Sequence, residues 1–263
     1  MRRHFLIPVL ILLAVPGPTL AAEYRRFETR EGVTVPTVIL TPDHPKAVVI
    51  LFAGGSGTIR VQHDRSIRRA GNFLVASRKK FAKQGLVVVV IDAPSDQTEG
   101  GSEMEFDFRE TREHARDIGL IVTALRKSYD LPVWLIGTSR GSTSVANAGI
   151  RLQKEGLGRP DGIVLTSAIS EYNRKGGNLL DMNLSAIRVP TLVVHHVKDG
   201  CHVTPYYGVS RIMDGLTGAG TTELITIKGG KTKGDLCGPK SHHGYLGQRG
   251  KIVKKLAQWI KNH

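Results

Sequence analysis

Near the middle of the chain a serine stands between two glycines, in Gly137-Thr138-Ser139-Arg140-Gly141, directly after the apolar run Pro132–Ile136 and before a segment with helical patterning. A serine hydroxyl is a poor nucleophile at neutral pH, so it needs a base to take its proton and a backbone that presents it to a substrate. A sharp strand-to-helix turn presents it. Such a turn strains the serine backbone and brings strand and helix close together, and glycine at 137 and 141 removes side chains that would collide there. The first N–H groups of the following helix then face negative charge developing on a substrate oxygen. Ser139 is the candidate nucleophile and the backbone N–H of Arg140 a candidate oxyanion donor.

The elements that must position this turn can be read from the pattern around it. Apolar, β-branched runs occur at 47–53, 86–94, 132–137, 162–168, 191–197 and 223–230, and the spacing between and after them predicts helices at about 64–84, 107–128, 141–155, 204–216 and 247–262. Runs that are apolar on both faces belong inside a parallel sheet with helices packed on each side. The alternation predicts a single doubly wound α/β domain over residues 22–263, opened by a hairpin that turns at Glu31-Gly32. Thr204-Pro205 reads as a helix N-cap followed by a first-turn proline.

With the elbow in that setting, the chain resembles the α/β-hydrolase family, whose nucleophile, acid and histidine follow one another in that order on loops after strands. The resemblance extends over nearly all of residues 22–263 and implies a mostly parallel sheet with helices on both faces, a Ser-His-Asp triad and no cofactor. It places the acid after the penultimate strand, at Asp199, with Asp181 as the rival ahead of that strand. The base falls after the last strand, at His243 in His243-Gly244-Tyr245, with His242 as the alternative; His242 and His196 are candidates for hydrogen bonding around the triad. The second oxyanion N–H falls in Ala53-Gly54-Gly55-Ser56-Gly57, with Gly55 the first choice. Many relatives carry histidine where this chain has Ala53, which implies different hydrogen bonding within this loop.

The N-terminus adds a compartment. Arg2 and Arg3, an apolar run from Phe5 to Val15, a Pro/Gly break and then Ala21-Ala22 have the layout of a secretory signal peptide over residues 1–21. The run is shorter than the ~20 apolar residues a membrane span needs, so an exported, periplasmic or secreted protein without stable membrane insertion is expected. In that compartment the two cysteines, Cys201 and Cys237, are expected to form a disulfide, which would tie the loop bearing Asp199 to the loop bearing His243.

Composition limits the partners. The net charge of +14 is spread through the chain rather than gathered in blocks, which argues against nucleic acid and for a solvated basic surface suited to an anionic ester or acyl substrate. His195, His196, His202, His242 and His243 gather near the same rim, yet no His-Glu-x-x-His spacing is present and no metal is expected. The glycines of residues 54–57 lack the Gly-Lys-Ser/Thr ending of a phosphate-binding loop. His114 and Asp117 read as packing or surface residues, and Asp92 and Asp96 as residues that could line the pocket. The 22 residues of 169–190, where many relatives carry a lid, are too few for a large cap. The binding reading, in which the same fold holds an anionic ligand without turnover, requires none of the three triad residues.

Overall fold

The computed structural model describes residues 20–98, 104, 107–153, 158–174 and 176–263. The signal peptide expected over 1–21 lies almost wholly outside the described residues; its last two, Leu20 and Ala21, are the first of strand β1.

Eight strands make one sheet: β1 (Leu20–Arg30), β2 (Val33–Pro42), β3 (Ala47–Phe52), β4 (Leu86–Ile91), β5 (Val133–Thr138), β6 (Gly162–Thr166), β7 (Thr191–His196) and β8 (Thr222–Ile227). Their order across the sheet is β1-β2-β4-β3-β5-β6-β7-β8. β1 and β2 form the predicted hairpin, β2 runs antiparallel to β4, and every pairing from β4 to β8 is parallel. The central strands are buried on both faces because their β-branched side chains alternate between two cores. Val48, Ile50 and Phe52 of β3 pack into one, and Val49 and Leu51 into the other.

Five helices cover the sheet: α1 (Phe73–Ala82), α2 (Arg112–Tyr129), α3 (Arg140–Arg151), α4 (Val209–Gly215) and α5 (Arg249–Asn262). α1 and α5 close one core with Phe73, Phe81, Leu256 and Trp259 around Trp134 of β5, while α2, α3 and α4 close the other with Ile118, Leu125, Val145 and Ile212. Helices on both faces of a largely parallel sheet are the predicted architecture.

Two local readings are corrected. The helix predicted from residue 64 begins at Phe73, capped by Asn72, whose Oδ1 accepts from the Leu74 N–H at 3.1 Å. Residues 59–69 instead fold back on themselves, with Val61 bridged to Ile67 and with Arg60 and Arg65 at positive φ. The Thr204 side chain caps no helix: a 3-10 turn, Tyr206–Gly208, follows Pro205, and the Thr204 hydroxyl turns to Asp199. The last residues of the helix predicted to 155 lie outside the described residues. Between β6 and β7 the chain forms two 3-10 turns, Leu179–Asp181 and Leu184–Ala186, in place of a helical cap. Among the described residues no helix is long and apolar enough to cross a membrane.

The tightest approach in the fold is where β5 turns into α3. A Cβ on Gly137 would overlap the Gly141 carbonyl, and a Cβ on Gly141 would overlap the Phe52 carbonyl at the end of β3. Backbone cannot retreat as a flexible side chain does, so Gly141→Ala is expected to cost about 3 kcal/mol or more of unfolding free energy. A urea midpoint equal to that of the parent protein would show that this contact yields without cost.

Candidate active site

Ser139 occupies the turn itself, with φ 53° and ψ −127°, a conformation that costs a non-glycine residue of order 1–3 kcal/mol and persists only where the surroundings enforce it. The Ser139 N–H is held by the Thr166 carbonyl of β6 at 3.0 Å, and the Ser139 carbonyl accepts from Ser142 N–H at 2.9 Å as the first turn of α3. Gly54 packs against it from the end of β3, where a Cβ would stand 2.9 Å from Ser139 Cβ. Gly55, at φ +63°, lies beside Ser139 and Arg140 in the same cleft. The backbone thus brings both candidate oxyanion residues to the candidate nucleophile.

Asp199 and His243 meet from two loops. His243 Nδ1 lies 3.0 Å from Asp199 Oδ2, and both residues are buried. The same carboxylate oxygen accepts from the Thr204 hydroxyl at 3.1 Å and lies 3.4 Å from His195 Nε2, while Oδ1 accepts from Cys201 N–H at 3.0 Å. Burial alone would push the Asp199 carboxyl up, but the hydrogen bonds and charge of His195 and His243 hold it well below the usual carboxylate range. With Nδ1–H directed at this anion, Nε2 of His243 is left as the acceptor. His243 and Ser139 line one cavity of about 220 Å³, together with Gly54, Gly55, Asn72 and Arg69. Asp181, the rival acid, is exposed on a 3-10 turn and is not among these partners.

His243 is referenced to the sheet through Tyr245. Its buried hydroxyl donates to the Val194 carbonyl at 2.9 Å and accepts from the Ser167 N–H at 3.1 Å, and Ser167 Oγ donates to the His243 carbonyl at 3.1 Å. The cysteines do what their spacing suggested: Cys201 and Cys237 form a disulfide, with Cα atoms 4.5 Å apart, across the mouth of the site. Closing a loop of 36 residues this way is worth about 3–4 kcal/mol through the unfolded chain.

The remaining histidines support loops. His196 Nε2 donates to the Gly229 carbonyl at 2.6 Å and its Nδ1 accepts from Lys198 N–H at 2.9 Å, with burial holding its pKa down. His242 stacks on it at 4.3 Å and reaches the Lys198 carbonyl rather than Asp199. Neither imidazole hydrogen-bonds to the Asp199–His243 pair, although the His196 carbonyl accepts from the Asp199 N–H at 3.0 Å, so their contribution is to the shape of the loops that carry the pair. Cys201, His202 and Cys237 are near enough to share a metal ion among the described residues, but the two sulfurs are bonded to each other.

Three residues with parts in the site went unassigned from the sequence. Thr204 and His195 complete the Asp199 cradle. Arg109, fully buried, donates from Nη2 to the Ala53 carbonyl at 3.1 Å and from Nη1 to Ser144 Oγ at 2.8 Å, and so ties the start of the loop after β3 to α3. Burial and the charge of Arg140 push its pKa down to about 9. Gly57 is needed beside it, because a Cβ there would run into the guanidinium. From the other side Asp92 accepts from the N–H groups of Ile59 at 2.8 Å and Val61 at 2.7 Å. Asp92 therefore shapes the pocket wall as a brace for the loop. Asp117, on α2, is buried against Arg30 at 2.9 Å.

No family model and no curated protein matches the sequence. Solved structures do match over nearly the whole chain. A predicted CIB-like hydrolase from Thermoplasma acidophilum superposes with a TM-score of 0.62 at 17% identity, covering 93% of this chain and 100% of that one. A dienelactone hydrolase from Anabaena variabilis gives 0.62 at 17%, covering 93% and 98%. A lidless α/β serine hydrolase from Xanthomonas campestris gives 0.57 at 14%, covering 93% and 94%.

Two substitutions test the electrostatics of this region. His114 is packed between Phe52 and Phe108 with neither ring nitrogen hydrogen-bonded, and burial, with the charges of Arg109 and Arg30, pushes its pKa down to about 3. The unfolded chain protonates this histidine near 6.5, so it binds more protons than the folded chain between those values. The stability contribution is complete above about pH 6.5 and is lost as pH falls towards 3. His114→Phe should flatten that slope by an amount on the order of a few kcal/mol, measured by urea unfolding across the range. Thr204→Val, which leaves Asp199 short of a donor, should cost about 1–3 kcal/mol in the same assay. Topology, strand order and the turn at Ser139 together give this chain the α/β-hydrolase fold.

Proposed function

We propose that the chain is an exported serine hydrolase that cleaves an ester or related acyl bond of a small molecule, with residues 22–263 as its single mature domain. The observation that carries the reading is the pairing of His243 with a buried, ionised Asp199 in the cavity that Ser139 enters from its strained turn. Ser139 Oγ attacks the acyl carbon as His243 Nε2 takes its proton, and the Gly55 and Arg140 N–H groups hold the oxyanion. Asp199 stabilises the imidazolium. The carbon–oxygen bond to the leaving group then breaks, and His243 returns the proton to the departing alcohol. Water, deprotonated by the same histidine, splits the acyl-serine ester and restores Ser139, so the sum is ester plus water to acid plus alcohol. No step calls on a cofactor.

Support for a small or surface-accessible substrate comes from the cleft. The cavity on the His243 side is about 220 Å³ and a wider one of about 560 Å³ opens on the other side of Ser139 between Ile169, Tyr172 and Val203. The disulfide and the apolar run near the N-terminus support export.

The test is intact mass after treating the oxidised protein with a fluorophosphonate. A single adduct on Ser139 is expected, absent in Ser139→Ala and slowed about 10³-fold or more in His243→Ala. A folded protein that takes no adduct would replace this reading with non-catalytic binding on the same fold.

A further inference from the structure

The loop clamped by Arg109 and Asp92 has two sides. One lines the cavity at Ser139; the other forms a separate polar groove of about 500 Å³ against the β1–β2 hairpin, within the ~300–1,000 Å³ span of small-molecule sites. Thr58 belongs to both cavities, and its buried Oγ1 has no hydrogen-bond partner. Arg60 and Arg68 face the groove, and among the described residues no carboxylate pairs with either guanidinium. Asp92, at the base of the groove, gives both oxygens to backbone N–H groups and makes no ion pair with either arginine, so the two guanidiniums outnumber the one carboxylate. His63 packs on Tyr24 with ring centroids 4.4 Å apart, and Thr34, Gln62 and Thr98 line the groove. Gln62 Nε2 donates to the Arg60 and Val61 carbonyls and Thr98 Oγ1 to the Ser95 carbonyl, which leaves the Gln62 side-chain carbonyl and the hydroxyl oxygens as acceptors for a ligand.

We propose that this groove binds an acidic saccharide, and that the substrate's alcohol part is a sugar of that chain, passing over Thr58 so that its acyl ester reaches Ser139. The substrate part of the proposal rests on the hydrolase reading above. Unpaired guanidiniums select carboxylate or similar anions, the Tyr24–His63 pair offers ring faces to a sugar, and hydroxyl and amide groups match sugar hydroxyls. The groove is concave and polar. It offers no apolar wedge for a membrane, and two unpaired arginines in a pocket are poorly placed to track the backbone of a nucleic acid. On the catalytic side Arg69, Asn72 and Ser56 continue the polar lining beside His243, where the leaving alcohol must stand to receive its proton, with Ile59, Phe73 and Pro239 as the apolar part of that wall. The acyl part is left to the more apolar side, beside Ile169, Tyr172 and Val203.

The direct experiment is calorimetric titration of Ser139→Ala with an α-1,4-linked galacturonate hexamer, with maltohexaose as the neutral control. Saturable binding of the uronate is expected, at least about tenfold tighter than the neutral sugar. Arg60→Ala/Arg68→Ala should weaken it about tenfold or more with an unchanged circular-dichroism spectrum, and Arg60→Lys/Arg68→Lys should restore much of it. Equal affinity for both sugars, no saturable heat, or an unaffected alanine variant would overturn the groove. Tighter binding of a hexadeoxynucleotide or of vesicles containing phosphatidylglycerol would overturn the saccharide in favour of that ligand class. With active protein, the ratio of kcat/KM for an O-acetylated galacturonate oligomer to that for 4-nitrophenyl acetate should fall in the alanine variant, and an unchanged ratio would sever the groove from the substrate. Because binding is read without the nucleophile, uronate binding without fluorophosphonate labelling would remove the hydrolase reading alone, and labelling without uronate binding would remove the groove alone.

Discussion

The site depends on how closely the first turn of α3 approaches the ends of β3 and β5. Phe52, Gly137 and Gly141 meet backbone to backbone, and neither glycine has room for even one methyl group. That contact forces Ser139 into its positive-φ conformation, and the hydrogen bond from its N–H to Thr166 fixes the turn against a third strand. It also sets where the β3 loop must leave the sheet, because Gly54 is pressed against Ser139. Ser139 and the glycine loop after β3 are therefore placed by one packing constraint.

Charge does the rest of the positioning. Three of the buried ionisable groups around the site, Asp199, Arg109 and Asp92, are each met by dipoles or by a partner of opposite tendency, as burial of charge requires. Asp199 gathers Thr204, Cys201 N–H, His195 and His243 around one carboxylate. Arg109 and Asp92 brace opposite ends of a single loop, one by donating to a carbonyl and the other by accepting from amides. A loop held by backbone hydrogen bonds to buried charges is stiff without needing side chains of its own, which leaves its glycines bare toward the substrate.

What could be read in advance follows from how local each signal is. The elbow was legible because strand, glycines and serine are contiguous, and the doubly wound sheet because each buried strand announces itself as an apolar run. Asp199 and His243 could be placed through the order of elements. The two cysteines flank them closely enough to suggest their bond. Arg109 could not be read, since it meets the Ala53 carbonyl from 56 residues away and nothing in "FDFRE" marks an arginine for burial. Thr204 was hidden by a stronger local reading, because Thr-Pro is a good helix start wherever the threonine has no better partner. The start at residue 64 given to α1 failed for a similar reason: residues 59–69 are pulled into a fold-back by the Val61–Ile67 pairing and by Asp92, so the helix begins only after Asn72.

The disulfide has a consequence beyond its share of global stability. Loops commonly open on their own, well below the free energy of unfolding the sheet, and an opening of either loop here would carry His243 away from Asp199 while both cores stayed intact. The bond between Cys201 and Cys237 joins the two loops within two residues of Asp199 and six of His243, so it removes that local excursion selectively. Breaking it would lower the unfolding temperature by the bond's share of global stability and would, in addition, leave a folded molecule in which Asp199 and His243 spend part of their time apart. The temperature at which the site stops working and the temperature at which the protein unfolds would then become two separate numbers.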